Sequence, residues 1–247
     1  MFRYDEIVPW GRSFEEYRAM FALSDADLAR RILGCADGPA SFNAVAREQG
    51  AFVVSADPLY ALDEVEIRRR IDATYDNVIS QTWENREKFV WRHFRDPDAL
   101  GQVRRQAMDL FLADYGAYPH GAYPHGAHPD GTRRPAGCYV AGTLPHLPFR
   151  DQAFELALCS HFLFLYSDGL DAAFHQGAIL ELLRVAEEAR IFPLLDYNGE
   201  ISPHLDAVTQ AIEYKGFIAE IVEVDYEFQL GGKEMLRCVR RGEVGPA

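Results

Sequence analysis

Short apolar runs alternate with segments of helical periodicity along much of the chain. Runs of this kind are typical of parallel strands that are buried on both faces, and the alternation is typical of a doubly wound α/β fold. The pattern predicts strands at 31–35, 51–57, 138–142, 154–160 and 189–195. Helices are predicted around these strands at 42–50, 172–186 and 203–214.

The two ends of the chain carry additional local signals. Ser13 and Glu16 have the spacing of a capping box, which predicts an N-terminal helix within 12–30. Near the other end, strand-like runs at 218–228 and 234–240 flank a glycine-containing turn and predict a hairpin. The sequence therefore predicts a mostly parallel, seven-stranded sheet that ends with one antiparallel strand.

An insertion interrupts the alternation between the second and third strands. About 80 residues separate Asp57 from Cys138, whereas a plain crossover needs only ~10 to 12. Helical periodicity at 65–78 and 98–115 predicts a helical cap over about 61–137 that covers the ligand edge of the sheet as a lid. Four aromatic residues between these helices predict the core of the cap or, alternatively, part of an acceptor pocket: Trp83, Phe89, Trp91 and Phe94.

The insertion ends in a tandem pentapeptide repeat over 116–130. Glycine and proline recur too often there for a helix or a central strand, so we predict a mobile loop. Its histidines, His120, His125 and His128, suggest a metal site. Since a flexible loop does not hold ligands at metal-binding distances by itself, we predict no metal.

Composition narrows the class of protein. The 247 residues, 48% hydrophobic and 26% charged, fit one globular domain spanning 1–247. The net charge of −13, from 25 basic and 38 acidic residues, disfavours nucleic acid and favours a small-molecule partner.

The separated cysteines Cys35, Cys138, Cys159 and Cys238 are typical of free thiols. With no leader pattern and no long apolar run, the expected location is the cytoplasm, without a membrane partner.

A glycine-containing turn between the first strand and its helix is the main candidate for ligand binding. A dinucleotide-binding turn needs glycines where this chain has Ala36 and Pro39, so NAD or FAD is disfavoured. Asp57 follows Gly38 by 19 residues, the separation at which such folds present a carboxylate to ribose hydroxyls. A ribose-bearing ligand without a pyrophosphate fits both features. The turn is alternatively a plain connection, and Asp57 a cap for the residues after it.

Three segments resemble the class I S-adenosylmethionine-dependent methyltransferases. They are ILGCADGPAS at 32–41, VSADP at 54–58 and LPFRDQAFELALCS at 147–160. The last is similar to the family's LPF-D-x-x-F-D run before the fourth strand, and the resemblance spans 31–60 and 138–240. It implies a Rossmann-like methyltransferase fold, S-adenosyl-L-methionine as cofactor and a methyl-accepting substrate.

The resemblance also implies roles for individual residues. It places one group around the methionine part of the cofactor, namely Gly34, Cys35, Ala36, Asp37 and Gly38. It places Asp57, followed by Pro58, at the ribose, and Gly142, Thr143 and Leu144 beside the adenine. Ser160 and His161 would then follow the fourth strand at the reaction centre. The family usually has an acid where this chain has Gly34, which leaves the methionine amino group to Asp37 or to backbone carbonyls.

Methyl transfer is an in-line displacement that depends mainly on alignment and exclusion of water. Where the acceptor must lose a proton, His161 is the best-placed general base, although a structural histidine fits its position equally well. Tyr166, His175 and Asp196 are weaker candidates.

Two other functions stay open. One is an S-adenosyl-ligand-binding protein without catalysis. The other is an RNA or protein methyltransferase that uses a basic patch of Arg68, Arg69, Arg70, Arg104 and Arg105, although solvated helix faces explain these charges more simply.

Overall fold

The computed structural model describes residues 8–117 and 137–241. Most of the pentapeptide repeat, including its three histidines, lies outside these ranges, so the predicted loop stays a prediction.

The described residues form one seven-stranded sheet in the order β3-β2-β1-β4-β5-β7-β6. β7 is antiparallel to both of its neighbours, and the other strand pairs are parallel. The predicted fold class is therefore confirmed. The strands are β1 (Arg31–Cys35), β2 (Phe52–Ala56), β3 (Tyr139–Val140), β4 (Phe154–Ser160), β5 (Ala186–Phe192), β6 (Phe217–Glu223) and β7 (Glu234–Arg240).

Helices cover both faces of this sheet, and each face has its own buried apolar cluster. Strands of this sheet contribute to both clusters, which explains why their residues are apolar almost without alternation. The helices are α1 (Phe14–Met20), α2 (Asp25–Leu28), α3 (Phe42–Glu48), α4 (Glu64–Glu84), α5 (Pro97–Gly116), α6 (Ala172–Val185) and α7 (Leu205–Tyr214). None of the helices within 8–117 and 137–241 has the length and apolar character needed to cross a bilayer.

The N-terminal region contains two short helices where one helix within 12–30 is predicted. The Ser13–Glu16 capping box begins α1 as predicted, and a second capping box, formed by Ser24 and Asp27, begins α2. The chain turns between them through Ala22, whose φ is 47°. The second cap competes with helix continuation, because its side chain supplies an acceptor for the amides of a new first turn.

The insertion after β2 contains two packed helices, α4 and α5. Their shared core is built from Tyr60, Ile67, Ile71, Met108, Phe111, Leu112 and Tyr115. The hydroxyl of Tyr115 donates to the carbonyls of Tyr60 and Leu62 and ties the end of α5 to the residues that follow β2. The return strand β3 is only two residues long, shorter than the predicted 138–142.

The four aromatic residues, of which Trp83 lies near the end of α4 and the others between α4 and α5, do not belong to the core of the cap, which corrects the first of the two alternatives. The second alternative, part of an acceptor pocket, stays a prediction, and Phe89 lines a cavity at the sheet edge. Trp83 is 39% exposed, whereas Phe89, Trp91 and Phe94 surround Phe228 with ring-centroid distances of 4.7, 5.7 and 5.7 Å. The same segment exchanges backbone hydrogen bonds with the residues around Phe228. The aromatic segment therefore attaches the cap to the C-terminal hairpin.

This attachment also shortens a predicted strand. Pairing between β6 and β7 ends at Glu223 instead of extending to residue 228. Beyond that point, the Phe228 carbonyl accepts from the amide of Val90 at 2.7 Å, and the Leu230 amide donates to the carbonyl of Lys88 at 2.9 Å. The hairpin connection is longer than predicted because its backbone pairs with the cap instead of with β7.

Candidate functional site

A cavity of about 890 Å³ lies at the carboxyl ends of β1, β2 and β4. The strand order changes direction between β1 and β4, and ligands of doubly wound sheets bind in the crevice at such a switch point. The cavity is lined by the residues that follow the strands and by residues of α4 between Arg69 and Thr82. The volume lies near the upper end of the range of ~300 to 1,000 Å³ for small-molecule sites.

The turn after β1 leaves open space at its tip. Ala36 and Gly38 both adopt left-handed backbone conformations, with φ of 56° and 53°. A side-chain carbon built on Gly38 would meet no atom within 4 Å. Because Gly38 lines the cavity and has no side chain, its backbone is accessible to a ligand.

Asp57 follows β2 and lines the same cavity. Its Oδ2 accepts from the amide of Gly38 at 2.9 Å, and its Oδ1 accepts from the amide of Leu59 at 2.7 Å. Asp57 thus caps the 3-10 turn Pro58–Ala61, as the structural alternative predicts. A carboxylate has about four acceptor positions, so two further donors fit. Burial raises the pKa of Asp57 against the lowering effect of these two amides.

Asp37 occupies the space above Gly34. A side-chain carbon on Gly34 would lie only 1.8 Å from Asp37 Oδ2, so a larger residue does not fit there while Asp37 keeps its position. Tyr17 Oη donates to Asp37 Oδ1 at 2.8 Å, and Ser55 Oγ donates to Oδ2 at 2.6 Å. Burial raises the pKa of Asp37 to about 7, because it outweighs these two hydrogen bonds. The resembled family usually has an acid at the position of Gly34. In this chain the carboxylate of Asp37, three residues further on, lies next to that position.

His161 follows β4 and lines the cavity beside Ser160. Its Nδ1 lies 3.0 Å from Ser160 Oγ, and its ring packs edge-on against Phe192 at 5.4 Å. Burial, together with the charges of Arg12 and Arg104, lowers the pKa of His161 well below its ordinary value. His161 is therefore a neutral imidazole at pH 7.

The structure brings nearly all of the predicted site residues to one cavity. The residues that line it are Cys35, Ala36, Asp37, Gly38, Asp57, Pro58, Gly142, Thr143, Leu144, Ser160 and His161. Gly34 does not line the cavity and acts through the space that it leaves for Asp37.

The three weaker candidates have different environments. Tyr166 lines the cavity. His175 is fully buried, and its ring nitrogens lie 2.7 and 3.0 Å from the carbonyls of Asp171 and Leu163, which is a structural arrangement. Asp196 accepts from the amides of Asn198 and Glu200 in a tight turn.

Sequence reasoning missed the residues that come from distant segments. Trp10 and Arg12 reach the cavity from before α1, and Phe228 and Gln229 reach it from the hairpin connection. No spacing in the sequence relates these residues to the glycine turn. The short Trp-Gly-Arg segment at 10–12 is conspicuous, but only the fold shows where it lies.

The suggested basic patch is neutralised or buried. Arg69 and Arg70 pair with Glu66 at 2.7 and 2.9 Å, and Arg68 pairs with Glu64 at 2.9 Å. Arg105 pairs with Asp72 at 2.5 Å. Arg104 is only 1% exposed and forms an ion pair with Glu16, so it does not belong to a surface patch.

Residues 8–117 and 137–241 include the four cysteines and many of the other side chains that bind metals. The four cysteines are buried and free. No group of three histidine, cysteine or acidic side chains in these ranges is arranged to hold a metal ion.

The strand order, with the final strand inserted antiparallel between β5 and β6, defines this chain as having the class I methyltransferase fold. The chain belongs to the same family as the uncharacterized protein MJ0045 of Methanocaldococcus jannaschii. The two sequences are 35% identical over 234 residues, which cover 94% of this chain and 95% of that protein. No family model matches the chain.

Solved structures with a distant likeness include several methyltransferases. Magnesium protoporphyrin IX methyltransferase from Synechocystis, with bound S-adenosylmethionine, is 12% identical with a TM-score of 0.47, and the match covers 92% of this chain and 78% of that chain. A putative S-adenosyl-L-methionine-dependent methyltransferase from Methanococcus maripaludis is 11% identical with a TM-score of 0.45, covering 94% and 85%. At these scores the likeness assigns neither an activity nor a ligand to this chain.

Proposed function

We propose that the protein transfers the methyl group of S-adenosylmethionine to a small molecule. The observation that carries the proposal is the placement of Asp57 beside the open turn at Gly38, in one cavity at the switch point of the sheet. A ribose offers two hydroxyl donors, and Asp57 retains two acceptor positions for them. The fold and the motif resemblance support the same cofactor.

The residues present fit each part of that cofactor. Asp57 would hold the ribose, and the open backbone at Gly38 would approach the methionine part. Asp37 would accept from the methionine ammonium, since its carboxylate also keeps acceptor positions beyond Tyr17 and Ser55. Leu144 and Pro58 would pack against the adenine. When bound, the cofactor supplies an activated methyl group on a sulfonium centre.

The protein then has to align the acceptor and exclude water. Residues of α4 line the cavity together with the strand ends, and apolar side chains such as Phe162, Leu165 and Phe228 would exclude water from around the acceptor. His161 would accept the proton that the acceptor loses. Because its pKa is lowered, the imidazole is already deprotonated and has a lone pair available for that proton.

Two observations favour a small acceptor over a macromolecule. Residues of the cap line the cavity, and the arginines of the outer helix faces are paired with acidic neighbours instead of forming a basic patch. Binding of an S-adenosyl ligand without catalysis is the alternative function, and an assay of methyl transfer distinguishes the two.

Calorimetric titration with S-adenosylhomocysteine tests the cofactor. We expect Asp57→Asn to weaken binding roughly 10- to 100-fold, because it replaces a charge-assisted acceptor of two hydroxyls by a neutral amide. Asp63→Asn is the matched control, since Asp63 caps α4 through the amide of Glu66 and does not line the cavity. NADH should not bind either protein.

Two results would contradict the proposal. Equal binding of S-adenosylhomocysteine by Asp57→Asn and the wild type would remove Asp57 from the site. No binding by the wild type would mean that the cavity accepts a different ligand. Methyl transfer itself is then tested with radiolabelled S-adenosylmethionine and fractionated small-molecule extract.

A further inference from the structure

A buried group of charged residues borders the cavity on the side of α1. Arg12 lines the cavity, and Arg104 and Glu16 lie behind it in the interior. The guanidinium groups of Arg12 and Arg104 interact unfavourably, which, after burial, is the main cause that lowers the pKa of Arg12 to about 10. Arg12 stays protonated at pH 7 even so, and the group contains two cations for one acid.

Glu16 is already fully engaged by other partners. Its Oε2 accepts from Arg104 and from the amide and hydroxyl of Ser13, both at 3.0 Å. Its Oε1 accepts from Tyr226 Oη at 2.8 Å. Burial acts to raise the pKa of Glu16, but Arg104, Ser13 and, as the smallest contribution, the charge of Arg12 outweigh it and hold the pKa at about 2. The negative charge of Glu16 is therefore matched by Arg104, and Arg12 has no carboxylate of its own among the described residues.

The guanidinium of Arg12 also lacks hydrogen-bond acceptors. Its Nη1 donates to the carbonyl of Trp10 at a long 3.4 Å. Its Nε is buried and has no hydrogen-bond partner among the described residues. The Nε of Arg104 has the same deficit, but Arg104 does not line the cavity. An unpaired buried donor on a cation is costly, and at the edge of a cavity a ligand can supply the missing acceptor. The backbone of Arg12 is fixed in place, because its carbonyl accepts from the amide of Ser41 at the start of α3.

We infer that Arg12 is the binding point for a carboxylate in the cavity. A guanidinium presents paired N–H donors that match the two oxygens of a carboxylate. One unmatched positive charge suits a monoanion better than a doubly charged phosphate. The charge of Arg12 helps to lower the pKa of His161. A bound carboxylate would offset this charge, so binding at Arg12 would also affect His161.

Two molecules could supply this carboxylate if the proposed function holds. One is the methionine part of the cofactor, since the Arg12 backbone contacts the start of α3 directly after the glycine turn. The other is the methyl acceptor, since Arg12 and His161 line the same cavity. Both have the same chemistry, and the experiment below distinguishes them.

The test compares Arg12→Met with Arg70→Met, a matched control. Arg70 also lines the cavity, but it is exposed and paired with Glu66 at 2.9 Å. Calorimetry measures the affinities for S-adenosylhomocysteine and for methylthioadenosine, which lacks the amino acid carboxylate. Thermal unfolding of the ligand-free protein and of the S-adenosylhomocysteine complex then measures stabilisation by sodium acetate at constant ionic strength.

A carboxylate from the cofactor predicts that Arg12→Met loses roughly tenfold or more in affinity for S-adenosylhomocysteine and keeps its affinity for methylthioadenosine. A carboxylate from the acceptor predicts unchanged affinity for both nucleosides and loss of the acetate stabilisation. Arg12→Lys, which keeps the charge and lacks Nε, should fall between the wild type and Arg12→Met. Arg70→Met should resemble the wild type throughout.

Unchanged nucleoside affinities together with unchanged acetate stabilisation in Arg12→Met would overturn the inference. So would a large loss of stability in ligand-free Arg12→Met, because a purely structural arginine would behave in that way, whereas removing the repulsion from Arg104 should leave stability equal or higher. Failure of the proposed function looks different. In that case the wild type binds neither nucleoside, while acetate stabilisation that is lost in Arg12→Met still supports the carboxylate site.

Discussion

The two walls of the cavity carry opposite charges. The acidic wall, at the strand ends, presents the carboxyl groups of Asp37 and Asp57, whereas the basic wall, formed by the segment before α1, presents the guanidinium of Arg12. Arg69 and Arg70 of α4 also line the cavity, but both are paired with Glu66. A chain with a net charge of −13 thus keeps a cation without a carboxylate of its own beside this cavity. The difference fits the two proposals, in which the acidic wall binds the ribose and ammonium of the cofactor and the basic wall binds a carboxylate.

The largest expected effect tests the acidic wall through pH. The pKa of Asp37 is raised to about 7 in the folded protein, so between pH 4 and 7 the folded state binds a proton that the unfolded state has lost. Stability therefore falls as pH rises through this window, by up to about 4 kcal/mol. Asp37→Asn should remove most of this dependence. Urea unfolding at several pH values measures it, with Asp63→Asn as the control.

A bound cation should favour the ionised form of Asp37 instead of the protonated form. If Asp37 accepts from an ammonium group, S-adenosylhomocysteine binds the ionised carboxylate and releases protons when it binds below pH 7. Calorimetry in buffers of different ionisation enthalpy detects this release. Identical proton release by Asp37→Asn would show that another group titrates, and the acidic wall would then rest on Asp57 alone.

A somewhat smaller effect tests how Asp37 depends on Gly34. Gly34→Ala should destabilise the fold by about 3 kcal/mol, because its new carbon would overlap a carboxylate that Tyr17 and Ser55 hold in place. In an Asp37→Ala background the same substitution should cost little, since the obstructing side chain is gone. Chemical denaturation of the two single variants and the double variant measures this coupling.

Gly177→Ala serves as the control for that cycle. A carbon on Gly177 would meet Pro145 at an ordinary 3.6 Å. Additive effects of Gly34→Ala and Asp37→Ala would contradict the idea that one residue makes room for the other.

The acidic wall could be predicted from the sequence, and the basic wall could not. Parallel strands bring their carboxyl ends to one edge, so a turn at 36–38 and an acid at 57 are placed by local pattern and topology alone. Arg12 and Phe228 reach the cavity only through tertiary packing, because no motif or spacing in the sequence relates their segments to the glycine turn. The aromatic segment after α4 shows the same limit, because its composition predicts burial but not that Phe228 is the partner.

The differences between the predicted and the observed bounds of the helices and strands also have specific causes. The hairpin strand ends at Glu223 because the following backbone pairs with the cap. The N-terminal helix divides because Ser24 and Asp27 form a second capping box, which is visible in the sequence but is not decisive without the contacts of α2. Local signals identified the elements, and contacts between distant segments set their ends.

The smallest expected effect connects the two walls at His161. The charge of Arg12 contributes, after burial, to the lowered pKa of this imidazole, so Arg12→Met should raise the His161 pKa. Burial and Arg104 remain, so the value should stay below that of an exposed histidine. Carbon-detected NMR titration measures it, with His161→Gln for assignment and Arg70→Met as the control. A carboxylate ligand should shift the wild-type pKa in the same direction, whereas an unchanged pKa in Arg12→Met would mean that burial and Arg104 set it and that the basic wall does not act on the proposed base.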